Sequence, residues 1–426
     1  MEKHTPRRVW YKLDNAAKIY PAIRKDNWSS VFRVDAVLDA PIAAERLQRA
    51  LDGVLPRLPV LACRMRRGLF WYYLEENPAP ARIFPDVANP CRPILGQETN
   101  GHLFRVLYYQ NRVALEVFHS LCDGSGALTF LKTLVGEYLR LGGEPIAYGD
   151  GVLDVFEPPR PEEAEDAFAR FAGGKGSESM RASRAYRVPG VKEPPEILHV
   201  TTGLMSVRQV LAKTKELRVS LTEYLAAALA YVFYQMQRQG RNTDPIRILV
   251  PVNLRGYMPS QSVRNFAHLI RPGFDPKLGE YTFEEILQLM HHQMRLELTG
   301  KSMRAKINTN VRFERNPLAR VAPLFVKNLG MGMAYKIMGD TRASATLTNL
   351  GNVRLPPGVA EHVQRVQVML GPAHINPVNC AIASCGDALD VCMTSTLADR
   401  ETERRFFTFL VRQGLHVTIE SNEVEG

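Results

Sequence analysis

No stretch of the 426 residues stays apolar for the ~20 positions that a membrane-spanning helix needs. The longest apolar helical pattern runs only from about Tyr224 to Met236. The N-terminus lacks the apolar core of a secretory signal, because Met1 is followed by Glu2-Lys3-His4-Thr5-Pro6-Arg7-Arg8. The expectation is a cytoplasmic protein without a transmembrane segment. Cysteine is scarce. Cys63, Cys91, Cys122, Cys380, Cys385 and Cys392 form no Cys-x-x-Cys pair, and a chain of this size does not need disulfides, so reduced thiols are expected. Cys380, Cys385 and Cys392 lie in apolar, strand-like sequence and read as core residues rather than a metal site. Acids are in deficit, 44 against 54 bases, for a net charge of +10. Such an excess serves solubility or attracts an anionic partner. The imbalance concentrates in residues 301–342, where Lys301, Arg304, Lys306, Arg312, Arg315, Arg320, Lys327, Lys336 and Arg342 face only Glu314 and Asp340. No nucleic-acid motif accompanies this stretch and aromatics do not interleave with it as a stacking platform requires, so no nucleic-acid partner is expected.

The composition present is that of a folded chain, 45% apolar and 23% charged. The length suits two or three average domains, or two subdomains sharing an interface. Periodicity predicts strands over 31–36, 69–74, 102–109 and 113–117, with helices over 41–55 and 128–139. The pattern then breaks. Pro158, Pro159, Pro161, a Gly-rich run at 173–177, Pro189, Pro194 and Pro195 mark 157–196 as a linker holding one short helix near 164–171. It divides the chain into 1–156 and 197–426. The second part predicts strands over 197–202, 246–252, 266–270, 345–350, 363–370, 380–384 and 389–396, with helices over 207–217 and 401–414, and 415–419 closes the chain. Two more helices open on capping boxes, Ser220-Leu221-Thr222-Glu223 and Thr282-Phe283-Glu284-Glu285. Alternating strands and helices put the chain in the α/β or α+β class.

The chemistry concentrates at Phe118-His119-Ser120-Leu121-Cys122-Asp123-Gly124. A strand delivers His119 to a turn, and the turn feeds a helix. Asp123 and Gly124 suit that turn, because Asp bonds nearby N–H groups and Gly accepts strained dihedrals. An imidazole beside the positive end of a helix is placed to take a proton from a nucleophile. The same pattern also fits a hydrogen-bonded core histidine. Cys122 offers a rival chemistry, a thiolate with His119 as its base, although strand-to-turn geometry points the two side chains apart. His291 and His292 project about 100° apart on a helix and do not share a metal.

The spacing His119-x-x-x-Asp123-Gly124 resembles the core motif of the chloramphenicol acetyltransferase-like superfamily. That group includes alcohol acetyltransferases, polyketide-associated acyltransferases, wax ester synthases and the condensation domains of nonribosomal peptide synthetases. Many members have two adjacent histidines; here Phe118 takes the first position. Further segments follow in family order. Pro251-Val252-Asn253-Leu254-Arg255 with Asn265-Phe266 is similar to the "PVNLR…NF" element, and Thr348-Asn349-Leu350-Gly351 to the "SN-x-G" element. Phe406-Phe407 and Gly414-Leu415-His416-Val417 resemble the family's C-terminus; Tyr20-Pro21 and Arg57-Leu58-Pro59 resemble its N-terminal half.

The resemblance implies two chloramphenicol acetyltransferase-like subdomains facing across a central tunnel, with His119 midway. His119 would act as general base and Asn349 or Thr348 as oxyanion donor. Asp123 would pair with Arg255, and Gly124 would permit the tight turn. Asn265 would line the channel or simply end a strand. The implied partners are acyl-CoA as co-substrate and a small-molecule alcohol or amine as acceptor, with no metal and no permanently bound cofactor. An acyl carrier protein is the alternative donor. The basic stretch would then meet CoA phosphates or an acidic carrier domain, or remain solvated helix faces. Two other readings stay open: a carrier-dependent condensation-type enzyme, and a binding protein that has lost activity, which Phe118 in place of histidine allows. No adenylation or carrier domain is fused, which favours a stand-alone acyl-CoA enzyme.

Overall fold

The computed structural model describes residues 9–23, 29–173, 183–315, 317, 321–338, 340–373 and 376–423. In the first half the chain forms β1 (Trp10–Lys12), α1 (Ile19–Ile23), β2 (Val31–Leu38), α2 (Ala44–Val54), β3 (Cys63–Arg67), β4 (Tyr72–Glu76), β5 (Ile83–Pro85), β6 (Phe104–Tyr109), β7 (Arg112–Phe118) and α3 (Gly124–Arg140). The apolar stripe of α2, Leu47, Ala50, Leu51 and Val54, is buried against α3 and against Phe32, Val34, Ala36 and Leu38 of β2. The expected strand over 69–74 starts later. Gly68 N–H donates to Trp71 O and closes a turn, so Leu69 and Phe70 are exposed and pairing begins at Tyr72.

The second half forms α4 (Ala167–Phe171), β8 (His199–Ser206), α5 (Val207–Glu216), α6 (Leu221–Gln237), β9 (Ile246–Asn253), β10 (Ala267–Ile270), β11 (Gly273–Phe274), α7 (Phe283–Glu297), α8 (Gly300–Arg315), α9 (Leu324–Met338), β12 (Ala345–Asn352), β13 (Val363–Leu370), β14 (Val378–Cys385), β15 (Ala388–Ser395), α10 (Glu401–Arg412) and β16 (Thr418–Ser421). Both predicted capping boxes form. Ser220 Oγ accepts from Glu223 N–H at 3.2 Å while Glu223 accepts from Ser220 N–H at 2.6 Å, and Thr282 and Glu285 exchange the same pair of bonds. The helix that Ser220 opens, α6, is apolar almost all round and accordingly buried almost all round.

The strands make three sheets: β1-β4-β3, β13-β2-β7-β6-β5, and β10-β9-β12-β14-β15-β8-β16 with β11 also on β9. The halves are interlocked. Although β13 belongs to the second half in sequence, it pairs antiparallel with β2, Val366 opposite Ala36 and Val368 opposite Val34. β14 is buried along its whole length. Val378, Cys380 and Ile382 enter the second-half core, while Ala381, Ala383 and Cys385 enter the first-half core. A strand covered on both faces reads as continuously apolar, which is why 380–384 does so.

The 157–196 segment is packed where it is described. Arg57, 2% exposed, holds Glu163 through bonds of 2.5 and 2.7 Å, and Val263 N–H donates to Glu163 O. Residues 174–177 of the Gly-rich run and the opening 2–8 lie outside the described residues. All six cysteines are buried and free. His291 bonds Glu223. Among the described residues no cluster could hold a metal, and no helix is long and apolar enough to cross a membrane.

Arg57 is tied to Glu163 in a site where the two side chains are 1% and 9% exposed. Removing one partner leaves a buried charge uncompensated, at a cost of roughly 3–5 kcal/mol. Glu163→Ala should lower unfolding stability by about that much, and Arg57→Leu with Glu163→Leu should recover part of it, both read by denaturant titration.

Candidate active site

β7 carries its apolar alternation into Phe118 and then releases the chain. Its neighbour His119 donates its N–H to Ser30 O at 2.9 Å, and Leu121 N–H closes the turn on Phe118 O. Asp123 caps α3, its Oδ1 accepting from Gly126 N–H at 3.0 Å. The two adjacent side chains diverge. Phe118 is 4% exposed in an apolar cluster with Val31, Cys91, Met369 and Cys392. His119 is half-buried, stacked on Tyr20 at 4.5 Å and tilted against Phe32 at 4.9 Å.

The second half brings its own groups to this turn. Arg255, just past β9, donates from Nη1 to Asp123 Oδ2 at 2.8 Å. The other arms of Arg255 donate to Ser262 O at 3.0 and 2.8 Å and to Arg264 O at 2.6 Å. Asp123 Oδ2 also accepts from Phe266 N–H at 2.8 Å, and Asn253 donates to Ser125 Oγ at 3.0 Å. Two glycines allow this approach. A Cβ on Gly124 would stand 2.6 Å from Leu350 Cδ2, and one on Gly126 would stand 1.8 Å from Val263 O.

Asn265 follows the same loop. Its Oδ1 lies 3.1 Å from His119 Nδ1, and its Nδ2 donates to His119 O at 3.1 Å and to Asp14 Oδ2 at 3.3 Å. Asp14 is fully buried; its Oδ1 accepts from Ala17 N–H at 2.8 Å, and Arg264 Nη2 lies 3.7 Å from Oδ2. Burial pushes the Asp14 carboxyl up to about 6 against the attraction of Arg264. Burial also pushes the His119 imidazole below its ordinary range, opposed by its own carbonyl, Asp123 and Asn265. The ring is therefore neutral near pH 7, and among the described residues no protein group bonds its Nε2. Sequence reasoning missed Asp14, which lies in an aperiodic stretch that no motif marks.

Cys122 is fully buried in the first-half core, and desolvation, then Asp123, hold its thiol well above the ordinary range. That environment disfavours the thiolate a nucleophile requires. On β12 the candidate oxyanion donors take opposite faces. Asn349 points toward α6, donating to Thr222 Oγ1 at 2.8 Å and accepting from Gly351 N–H at 2.7 Å. Thr348 shares the face of Leu350, the residue that covers Gly124. In the basic stretch, Lys306 pairs with Glu297 and Lys327 bonds Phe70 O, both nearly buried. Lys301, Arg304 and Arg312 lie exposed on α8. The side chains of Arg315, Arg320, Lys336 and Asp340 lie outside the described residues.

The Asp123–Arg255 contact spans the two halves in a site where the guanidinium is 15% and the carboxylate 7% exposed. Asp123→Asn and Arg255→Leu should each lower stability by roughly 3–5 kcal/mol. The double variant should lose less than the sum, which a double-mutant cycle of denaturation free energies measures.

No protein-family model and no curated protein sequence matches this chain. Solved structures do. Polyketide synthase associated protein 5 from Mycobacterium tuberculosis superposes with a TM-score of 0.60 at 16% identity, over 94% of this chain and 96% of that one. TRI101 of F. graminearum, complexed with coenzyme A and deoxynivalenol, gives 0.63 at 11% identity, over 98% and 100%. The first condensation domain of the CDA synthetase gives 0.57 at 14% identity, over 96% and 97%. A turn from one half, clamped by an arginine from the other, sits within a chain that matches these structures nearly end to end: the protein has the fold of the CoA-dependent acyltransferases and condensation domains.

Proposed function

We propose that the protein moves an acyl group from a CoA thioester to an alcohol or amine acceptor, with His119 as the general base. The observation that carries this reading is the His119 ring itself. It is neutral, its Nδ1 faces Asn265 Oδ1, and its Nε2 is left for a substrate. In the proposed reaction Nε2 takes the proton of the acceptor O–H or N–H as that atom attacks the thioester carbonyl. The tetrahedral oxyanion is met by a donor from β12, Thr348 or Asn349. The hydroxyl of Thr348 is better placed for this than the Asn349 amide, which is engaged by Thr222. The carbonyl then re-forms, the C–S bond breaks, and the imidazolium returns its proton to the departing thiolate. Asp123 moves no proton; it holds the turn through Arg255 and Phe266 N–H. The support for a CoA donor is the TRI101 relative, solved with coenzyme A.

The likeness to a condensation domain supports a second reading, in which the donor acyl group arrives on a carrier protein. The exposed Lys301, Arg304 and Arg312 of α8 suit either an acidic carrier domain or CoA phosphates.

Thiol release from short and long acyl-CoAs, measured with a panel of alcohols and amines, tests the proposal. His119→Ala should lower turnover roughly 10²–10⁴-fold in a folded protein. Unchanged turnover would remove the assignment, and an inactive Cys122→Ala would transfer it to the thiol. The depressed His119 pKa keeps the ring in its basic form at neutral pH. The wild-type rate should therefore be flat above pH 6.5, the ordinary imidazole value, and decline only below it.

Exposed charges are screened beyond about 8–10 Å at physiological salt. Donor KM should rise with salt, and less so after charge reversal at Lys301, Arg304 and Arg312; a salt-independent KM contradicts a role for that face. Saturation by a carrier-bound donor but not by free CoA thioesters would establish the condensation reading instead.

A further inference from the structure

We infer that Asp14 is a positioning residue that, through Asn265, fixes the His119 ring in the tautomer with a proton on Nδ1 and a bare Nε2. The inference rests on the reading of His119 as the base. It follows from donor and acceptor polarity along one chain of contacts.

An ionised carboxylate only accepts hydrogen bonds. Asp14 Oδ1 is taken by Ala17 N–H, and Oδ2 faces Asn265 and Arg264. The His119 carbonyl, the second neighbour of Asn265, is also an acceptor. The Asn265 amide nitrogen carries two hydrogens, one for each. A flipped amide would set Oδ1 against two acceptors, at 3.3 and 3.1 Å. With the nitrogen so assigned, Asn265 Oδ1 is left facing His119 Nδ1 at 3.1 Å. A carbonyl oxygen cannot donate, so Nδ1 must carry the hydrogen and the lone pair lies on Nε2. Asn265 is 3% exposed and Asp14 fully buried, so water does not scramble this order.

The carboxylate is not held there for stability. Its folded pKa is raised from 3.8 to about 6. The stability it contributes is complete below 3.8 and lost as pH rises through 6. The charged or titratable groups that face it among the described residues are Arg264, Asp166 and Cys122, and Asp123 faces the His119 ring. At pH 8, Asp14→Asn should therefore unfold no earlier than the wild type, which separates a positioning role from a structural one.

The test is nitrogen NMR of ring-labelled histidine in the full-length protein at pH 8, with His119→Ala assigning the resonance. The wild-type ring should be in the Nδ1–H form. Asp14→Asn and Asn265→Ala should each move it partway toward the Nε2–H form, since the His119 carbonyl also faces the ring, and lower kcat roughly tenfold, with KM little changed. Asn265→Asp alone sets two carboxylates together and should be worse than either. Combined with Asp14→Asn, the same change exchanges the two groups. The carboxylate then accepts from Nδ1–H and from the new amide, although its other oxygen faces the His119 carbonyl, so tautomer and kcat should recover above Asn265→Asp. An Asp14→Asn protein with wild-type tautomer and kcat overturns the inference, as does an exchanged pair no better than Asn265→Asp. If His119→Ala keeps its activity while the ring tautomer still follows Asp14, the base assignment fails and the positioning stands.

Discussion

One carboxylate joins the two halves of this molecule beside His119. Asp123 caps α3 with one oxygen and receives Arg255 and the Phe266 N–H on the other. The first bond fixes where the helix begins and hence how the His119 turn is oriented. The other two fix where the loop after β9 lies, and that loop carries Asn265. Arg255 in turn satisfies the carbonyls of Ser262 and Arg264, so the ion pair helps to order a segment that is otherwise held by bonds to residues 163–165. Gly126 is needed for the same reason, since the Val263 carbonyl occupies the space a side chain would take, and Gly124 leaves room for the Leu350 side chain.

The site is precise because the halves are not free to slide. β13 completes the sheet of the first half, and β14 presents alternate side chains to both cores. Between the sheets lies a buried polar layer. Arg33 reaches Asp35 and Asp86, and Gln367 reaches Thr202 and Asp390. Burial raises the Asp390 carboxyl to about 7. Such groups are costly unless matched in geometry, so they penalise any other register of the two sheets.

The parts of the site that could be read from the sequence are those whose signal is local. His119, Asp123 and Gly124 lie within six consecutive positions, where a strand end, a turn and a helix start follow one another. Arg255 and Asn265 were accessible only through their resemblance to a known order of segments, since nothing in their own spacing says what they meet. Asp14 carried no signal at all: a single acid among mixed residues looks like a surface group, and only the fold buries it. The same limit explains β13 and β2. A period of two identifies a strand but not its sheet, and the alternation of Arg33 and Asp35 with apolar residues does not say that both are buried and paired. The packing of the 157–196 segment was hidden for a related reason. Its prolines and glycines report backbone conformation, whereas its packing depends on Glu163 finding Arg57 more than a hundred positions away.

The central claim is that the reaction takes place where the β7–α3 turn of the first half meets β12 of the second, at the bare nitrogen of His119. The most direct measurement is a crystal structure with a thioether analogue of an acyl-CoA, whose carbonyl cannot be transferred. The account predicts that carbonyl beside the face of β12 that bears Thr348, with the acceptor position within hydrogen-bond reach of His119 Nε2. An acyl group seated elsewhere, or a carbonyl whose nearest reactive group is Cys122 rather than His119, would contradict it.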